Sequence, residues 1–568
     1  MTVGMRRLDP DYAAPRRSRR AVLTSVTLGA AGVTLATLAC STRTKQAGSP
    51  AAGAPPNPRR GGVFTYAGGA AGSYDTSGSG FDPTVQSQTR AKGYTLFYER
   101  LVAYNMSSYA IEPELGQKWE QPSQTEFLFT LQPGVKFQNK PPASARALTA
   151  EDVVWSLERA RINDPKVTSR SLLSQIDSIQ APNSTTLRIT TKGPYASTLI
   201  SLSSDNLAVL AREVVEKYAK SITAESAVGT GPFMMTSVEQ SVGAEYARNP
   251  DYWKPGLPYL DSFRTKDFTD FNGAWAAFLG GQIDAALVPG AEIKQYLSRQ
   301  GAAGQRPWYA DDNMAFQMPN TAKKPMDDAR VTRALRLLID HDEMLTAWAE
   351  VSYGRGGIGS VFPSALSAWD LKEDEYRQHL EWKQPKDTAA KEAISLLNGA
   401  GFTRDNPLRF TLDSNNFQEP TRCAQLIQAQ WKNWSQGVVD IQLRLSDAAT
   451  VNSVRAARSF TYGYFGHSAG MVDPDLWLSS TYRTGGSLNF MGFSDPQADA
   501  MIDKQRTIFD DAQRKAAIRD IILYLIDRSP ATLPGNRYFQ EAVQSRVQNQ
   551  TPEYFLNGRQ YQSVWLTA

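Results

Sequence analysis

The sequence predicts an α/β protein with more than one lobe, and three observations support this. The chain has 568 residues, more than one ordinary domain of about 150 residues requires. Hydrophobic residues make up 41% and charged residues 21%, which is typical of a folded globular chain and argues against a polytopic membrane protein. From residue 61 onward, helical and strand-like patterns alternate without a repeat of about 20–50 residues, so a solenoid or propeller is not expected.

The N-terminal segment, residues 1–40, is predicted to be an export signal. The twin arginines Arg19 and Arg20 precede residues 21–39, an uncharged run of 19 residues that contains five Ser or Thr and two Gly. This run is too weakly apolar for a stable membrane anchor and suits a twin-arginine signal peptide. The segment Thr-Leu-Ala-Cys at 37–40 resembles a lipoprotein cleavage box with its leucine one place late. Cys40 is therefore the candidate lipidation site, with an ordinary signal peptide or an uncleaved anchor as the alternative.

Residues 41–60 are rich in Pro, Gly, Ala and Ser, a composition typical of a flexible tether. Together with Cys40, this segment predicts an exported protein that is held at the cell surface or at the periplasmic face of the cytoplasmic membrane. The geometry expected is a folded body attached to the membrane through its N-terminus.

The positive charge of the chain is confined to this N-terminal region. The formal charge is 61 − 57 = +4, but residues 1–60 hold ten Lys or Arg and two acids, which leaves 51 − 55 = −4 for the rest. Nucleic-acid binding requires a basic face on the folded body. The sequence therefore argues against a nucleic-acid partner.

Histidines and cysteines are too few for the familiar metal or disulfide frameworks. The three histidines, His341, His379 and His467, are far apart, and neither HExxH nor CxxC occurs. No metal site or cofactor is expected. Cys423 shares a helical spacing with Leu426, which predicts a buried thiol in a helix.

Local patterns predict several elements of the body. A capping-box sequence at 149–152 predicts a helix start, and apolar stripes predict helices over 328–339 and about 388–397. Alternation with period two predicts strands at 186–190 and 441–445. Such a mixture is expected for an α/β body.

Eight short segments occur in an order that is specific, although each is weak alone. They are LFYERL at 96–101, LQPGVKF at 131–137, LTAEDV at 148–153, GTGPF at 229–233, NPDYW at 249–253, GQID at 281–284, DDARVTRAL at 327–335 and DPD at 473–475. In these segments the chain resembles the extracytoplasmic solute-binding proteins of peptide, nickel and opine type ABC importers.

The resemblance implies a two-lobed, periplasmic-binding-protein-like fold of type II, the large cluster with an extra insert domain. It implies a first lobe over residues 61–105, 225–322 and 530–568, an insert subdomain over 106–224 and a second lobe over 323–529. The expected protein is a monomeric receptor, not an enzyme, that closes on a solute and delivers it to an ABC permease complex. Gly229, Gly231 and Pro232 are candidate hinge residues because glycine permits positive φ and proline fixes its own φ. A second crossing is expected at 320–325.

A motif typical of serine hydrolases suggests a different function. GHSAG at 466–470 matches the G-x-S-x-G elbow of serine hydrolases, with Ser468 as the nucleophile. That fold requires a general-base histidine downstream of the serine, and no histidine follows His467. A secreted serine hydrolase is therefore kept only as the alternative from another functional class.

The same segment resembles the family segment G-W-x-A-D-x-x-D/E-P, whose aspartate meets the terminal ammonium of a peptide ligand. Here Gly470 stands at the aspartate and His467 at the tryptophan. A buried ammonium without a counter-charge costs several kcal/mol. Either another acid replaces the missing one, such as Asp82 or Glu112, or the ligand lacks an ammonium. The ligand is expected to be peptide-like or another medium-sized polar solute, with an oligosaccharide or a metal chelate as the alternative.

Seven residues are candidate ligand contacts on these grounds. They are Asp82, Trp308, Tyr309, His467, Ser468, Gly470 and Trp477. The aromatic members suit sugar rings as well as peptide side chains, so they do not decide the ligand class.

Overall fold

The structure is a computed structural model that describes the following parts of the chain: residues 58–69, 80–85, 93–105, 110–162, 164, 167–218, 222–239, 241–304, 309–310, 313–348, 356–357, 361–379, 384–468, 473–531, 536–551 and 558–567. They belong to one structural unit, Pro55–Ala568. The predicted signal peptide, Cys40 and nearly all of the predicted tether lie outside the described residues.

The strands of the described chain are numbered in order along it. They are β1 Val63–Gly69, β2 Val102–Asn105, β3 Ala110–Pro113, β4 Gly116–Ser123, β5 Glu126–Leu131, β6 Ile176–Asn183, β7 Thr186–Thr191, β8 Phe233–Glu239, β9 Gly243–Arg248, β10 Ser262–Phe268, β11 Ala285–Leu287, β12 Tyr309–Ala310, β13 Asn313–Pro319, β14 Gly356–Gly357, β15 Thr411–Asn415, β16 Gln442–Ser446, β17 Tyr462–Ser468, β18 Asn536–Phe539, β19 Glu541–Val543, β20 Val547–Gln548 and β21 Trp565–Leu566.

The helices of the described chain are likewise numbered in order. They are α1 Tyr94–Phe97, α2 Ala150–Arg159, α3 Thr198–Leu202, α4 Arg212–Lys217, α5 Phe271–Leu279, α6 Ile293–Gly304, α7 Ala329–Leu337, α8 His341–Trp348, α9 Glu373–Tyr376, α10 Lys386–Gly399, α11 Gln418–Trp434, α12 Ala448–Ala456, α13 Pro474–Thr481, α14 Pro496–Gln505, α15 Asp511–Arg528 and α16 Gly558–Tyr561. Short 3₁₀ helices cover Thr168–Leu173, Asp205–Leu207, Gly290–Glu292 and Ser364–Trp369. None of the described helices is long and apolar enough to cross a membrane.

A six-stranded mixed sheet has the order β19-β11-β1-β10-β9-β8. Strands β10 and β11 run parallel to β1 on its two sides, and β9, β8 and β19 extend the sheet with antiparallel pairs. One face buries Phe64, Phe97, Tyr246 and Phe263 in a shared apolar core. This sheet joins segments from the beginning, the middle and the end of the chain.

A second mixed sheet has the order β13-β17-β15-β16. Strand β15 runs parallel to both β16 and β17, whereas β13 is antiparallel to β17. Helices α7, α10 and α11 share a core with one face, which includes Trp431 and Tyr462, and the other face contributes Phe316 and Phe465 to a separate core. Cys423 is fully buried on α11, which confirms the predicted core position.

Four strands between residues 116 and 191 form a separate antiparallel sheet of order β4-β5-β7-β6. Helix α2 packs against it, and its apolar core includes Phe129, Val153, Leu187 and Ile189. This sheet lies within the range predicted for the insert subdomain.

The chain passes between the two mixed sheets through two connections. The first joins β11 to β13, and the second joins β17 to β19. These connections meet in a small sheet of order β12-β18-β14, in which β12 and β18 are antiparallel. Strand β13 pairs with the second mixed sheet, although the predicted boundary at 322/323 assigns it to the first lobe. Sheet membership therefore favours a crossing before residue 313.

The predicted local elements agree with the structure. Helix α2 begins at the capping box, where the backbone N–H of Thr149 donates to Asp152 Oδ2 over 2.9 Å. Helix α7 is capped by Asp328, which accepts from the N–H of Arg330. Helix α10 and strands β7 and β16 cover the other predicted segments. Sequence patterns located these elements because each pattern involves only near neighbours in the chain.

Candidate functional site

Two sheet edges in this fold are suited to bind a ligand. Parallel strands β1, β10 and β11 end at Gly69, Phe268 and Leu287, and parallel strands β15, β16 and β17 end at Asn415, Ser446 and Ser468. In open α/β sheets, ligands bind beyond the carboxyl ends of the strands. We refer to these places as the first and the second carboxyl edge.

Two predicted contacts lie at the second carboxyl edge by their backbone positions. His467 and Ser468 are the last residues of β17 and pair with the start of β13. Tyr309 lies in β12, opposite Phe539 of β18. Trp308 and Gly470 lie outside the described residues.

Asp82 is buried, but its carboxylate is already paired. Arg159, at the end of α2, contacts Asp82 Oδ2 over 2.5 Å and Oδ1 over 3.0 Å. The hydroxyl of Thr84 donates to the same Oδ1 over 2.8 Å. A ligand ammonium at Asp82 would have to compete with this ion pair.

Glu112, the other candidate to replace the missing acid, also has partners within the protein. Its Oε1 accepts from Asn105 Nδ2 over 2.8 Å, and its Oε2 pairs with Arg559 over 2.7 Å. Neither acid named from the sequence offers an unpaired carboxylate.

Trp477 is fully buried in the core of the second mixed sheet. Its indole Nε1 donates to the carbonyl of Val361 over 2.7 Å, and its ring stacks on Phe316 with a centroid distance of 5.8 Å. A ligand contact at Trp477 would require the ring to leave this core. Asp473 caps α13, and Trp477 on that helix faces the core.

The predicted hinge glycines are required for close packing and not for positive φ. A Cβ at Gly229 would lie 1.9 Å from the carbonyl oxygen of Phe97, and one at Gly231 would lie 2.8 Å from the Phe97 carbonyl carbon. Neither glycine is among the residues with positive φ, contrary to the expectation from sequence. The two glycines let the chain pass directly over the Phe97 backbone.

This crossing is also held by hydrogen bonds from other segments. The N–H of Gln138 donates to the carbonyl of Gly229 over 2.8 Å, and the N–H of Asn249 donates to the carbonyl of Pro232 over 2.9 Å. The Gly231 carbonyl accepts from the side-chain amides of both Gln138 and Asn249. This number of hydrogen bonds is typical of a rigid segment.

A carboxylate that belongs to none of the sequence motifs lies at the first carboxyl edge. Asp267 is the penultimate residue of β10, opposite Gly68 of β1. Its Oδ1 is buried and has no hydrogen-bond partner in the described structure. Burial raises the pKa of the Asp267 carboxyl. Strand periodicity could have identified it, because Phe263, Thr265 and Asp267 alternate onto the same, mostly buried face.

A cation without a carboxylate partner lies near the second carboxyl edge. The guanidinium of Arg455, at the end of α12, hydrogen-bonds to the carbonyl of Gly466 and to Asn452 Oδ1. It also lies 5.0 Å from the ring centroid of Phe490. No carboxylate in the described part of the chain forms an ion pair with Arg455, and burial lowers its pKa.

The backbone around Ser468 is described up to the end of β17. A nucleophile elbow places the serine on a sharp turn between a strand and a helix. Ser468 is the last paired residue of β17, and the next described helix, α13, begins at Pro474. Residues 469–472, where the elbow would turn, lie outside the described residues.

The chain is similar to known proteins in family, sequence and structure. The family described as bacterial extracellular solute-binding proteins, family 5 middle, matches residues 110–489. Heme-binding protein A of Haemophilus influenzae is 24% identical over 462 residues, covering 76% of this chain and 80% of that protein. The glutathione-binding protein GsiB of Pectobacterium atrosepticum is 25% identical over 448 residues, with coverages of 76% and 81%.

Among solved structures, the periplasmic binding protein DppA of Helicobacter pylori, in complex with the peptide STSA, has a TM-score of 0.73. Sequence identity is 21%, and the match covers 89% of this chain and 98% of that one. At this identity the match establishes the fold only.

Proposed function

Because this chain belongs to the family 5 bacterial extracellular solute-binding proteins, the solute receptors of ABC importers, we propose that it captures a charged, peptide-like solute outside the cytoplasm. Receptors of this family bind without catalysis, so a hydrolase role for Ser468 is excluded. The peptide-like ligand, the closing movement and the membrane anchor are the parts that this proposal adds.

The single observation that carries the ligand class is the pair of unpaired charges at the two carboxyl edges. Asp267 provides a partly buried anion, and Arg455 provides a partly buried cation. Desolvated charges are costly unless they find counter-charges. A solute with both an amino and a carboxylate group, such as a peptide, meets both requirements. Two relatives are named for binding heme and glutathione, and one similar structure holds a peptide. A solute other than a peptide is therefore also compatible with the receptor role.

The closing movement is proposed to bend at the paired strands β12 and β18. They belong to the two connections between the mixed sheets, whereas Gly229 to Pro232 join the insert region to β8 and are held by several hydrogen bonds. Closure on a solute would shift the population from open to closed. We propose the lobe boundaries given above with one change, a first crossing before residue 313.

The test is a thermal-shift screen of residues 41–568 against uncapped peptides, oligosaccharides and nickel chelates. A ligand at 100 times its dissociation constant adds about 2.7 kcal/mol to the free energy of unfolding, which is a readily measured shift. Stabilisation by peptides alone would support the proposal. Stabilisation by sugars or chelates alone would replace the ligand class while leaving the receptor role intact.

A further inference from the structure

The first carboxyl edge contains a carboxylate without an ion-pair partner among the described residues. Asp267 lies on the face of β10 that carries Phe263 and Thr265, and these two side chains are buried. The neighbouring Lys266 points to the other face, where its Nζ contacts Gln282 Oε1 over 3.3 Å. No lysine or arginine in the described structure pairs with Asp267. Its negative charge is therefore partly buried without a counter-charge.

The neighbouring strand provides the space for this carboxylate. At Gly68, a Cβ atom would lie 2.6 Å from Asp267 Oδ1 and 3.3 Å from the Cβ of Thr265. No real side chain tolerates the shorter contact without displacing its neighbour. The glycine therefore leaves room for the carboxylate at the end of the parallel pair β1 and β10.

Four other acids bond to groups of the protein itself. Asp82 pairs with Arg159, Glu112 with Arg559, and Glu245 with Arg264 over 2.5 Å. Asp270, three residues beyond Asp267, caps α5 by accepting from the N–H of Gly273 over 2.8 Å. Asp267 differs from these four acids in that its buried Oδ1 has no hydrogen-bond partner in the described structure.

We propose that Asp267 binds a cationic amino or guanidinium group of the solute and replaces the carboxylate that is absent at Gly470. This inference rests on the proposed peptide-like ligand and names the group that anchors its positive end. An N–H donor that approaches the exposed side of the carboxylate forms a charge-assisted hydrogen bond and neutralises the charge at the same time.

The experiment uses a tryptic digest of casein and the same digest after acetylation of its amino groups. Purified protein is dialysed against each digest, and the retained peptides are released and quantified by mass spectrometry. The native protein is expected to retain peptides from the untreated digest, and Asp267→Asn to retain at least ten-fold less. Retention of acetylated peptides that contain arginine, lost in Asp267→Asn, would identify a guanidinium as the bound cation and also support the inference.

The matched control is Glu245→Gln, which removes the same charge from the same sheet at an exposed ion pair. It should retain peptides as the native protein does. Gly68→Ala, which crowds Oδ1 but keeps the charge, is expected to weaken retention as well. Circular dichroism and thermal melting verify that each variant is folded.

Two outcomes would overturn the inference, and they can be told apart. Equal retention by Asp267→Asn and the native protein rejects the role of Asp267 and leaves the peptide-binding proposal standing. Retention of nothing from either digest by the native protein rejects the peptide-binding proposal, and the inference fails with it.

Discussion

At the scale of single residues, the partners of an acid decide its role more than its place in a motif. Asp82 is a candidate replacement for the acid missing at Gly470, yet it forms an ion pair with Arg159. Asp267 belongs to no motif but has a buried oxygen without a hydrogen-bond partner in the described structure. A buried polar atom without a protein partner is uncommon in folded proteins, and an ordered water or an external group can supply the missing hydrogen bond.

Glu99 shows a third situation, a buried acid with partners but an unfavourable charge. Its carboxylate accepts from the hydroxyl of Tyr252 and from Nε1 of Trp253, both over 2.9 Å. Burial, with a smaller contribution from the charge of Glu114, raises the pKa of Glu99 to about 7, and Lys254 opposes the shift. The folded protein therefore holds a proton on Glu99 that the unfolded chain releases near pH 4.5.

We predict that Glu99 makes the protein less stable as the pH rises from about 4.5 through about 7. In this window the folded state binds the extra proton, so the free energy of unfolding falls with increasing pH. Glu99→Gln should remove this dependence and raise the stability at pH 8 by more than about 1 kcal/mol, because one pKa unit corresponds to about 1.4 kcal/mol. Urea unfolding at pH 5, 6, 7 and 8 measures both effects.

The neutral amide of Glu99→Gln can keep both hydrogen bonds. Its oxygen can accept from Trp253, and its nitrogen can donate to the hydroxyl of Tyr252, which already contacts Gln562 Oε1 over 3.0 Å. Exposed Glu245→Gln serves as the control and should keep the native pH dependence. A pH dependence unchanged by Glu99→Gln would show that another group is responsible.

At the scale of elements, the DPD sequence at 473–475 combines a local and a long-range function. Locally, Asp473 caps α13 by accepting from the N–H groups of the next turn. Over long range, its Oδ1 accepts from the hydroxyl of Ser197, just before α3, over 2.9 Å. Arg514 of α15 donates to that hydroxyl over 2.9 Å and pairs with Asp473 over 3.4 Å. One motif thus joins the predicted insert to the predicted second lobe.

We predict that Arg514→Ala lowers the free energy of unfolding by about 3–5 kcal/mol, because it leaves a buried carboxylate without its counter-charge. The side chains of Arg514 and Asp473 are 7% and 3% exposed, so water cannot replace the lost partner. Chemical denaturation followed by circular dichroism measures the change.

The matched control for Arg514→Ala is Arg519→Ala on the same helix. Arg519 is 48% exposed and pairs with Glu375 at the surface. An exposed ion pair contributes about 0–1 kcal/mol, so this variant should remain close to the native protein. Equal losses in the two variants would argue against a special role of the buried pair.

At the scale of the whole molecule, the two mixed sheets are joined by two connections, from β11 to β13 and from β17 to β19. The six-stranded sheet takes strands from residues 63–69 and from residues 541–543, so the chain returns to it after building the second mixed sheet. This topology places β12 and β18 side by side, where we propose that both connections bend. The predicted tether precedes this body in the chain.

We predict that the exported protein is attached to the membrane through Cys40. Cys40→Ser should release it into the soluble fraction and abolish incorporation of labelled palmitate, because the thiol is the atom that would be lipidated. Cell fractionation and labelling of the native protein and the variant test this. Cys423→Ser is the control and should remain attached, since Cys423 is buried in the core. A membrane-bound Cys40→Ser variant without palmitate would indicate an uncleaved anchor.

The sequence by itself determined the α/β class, the family and several element boundaries. These features depend on patterns between near neighbours, such as the Thr149 capping box and the alternation in β7, or on the order of motifs. Both survive in a single sequence because they do not require knowledge of which distant segments meet.

Only the tertiary structure decided which charges are paired and which aromatic rings are buried. Asp82 meets Arg159 across 77 residues, Trp477 meets Val361 across 116, and Ser197 meets Asp473 across 276. Burial and ion pairing are properties of such distant contacts, and local patterns do not encode them. For this reason Asp267 became a candidate only when the fold showed that nothing in the described chain pairs with it.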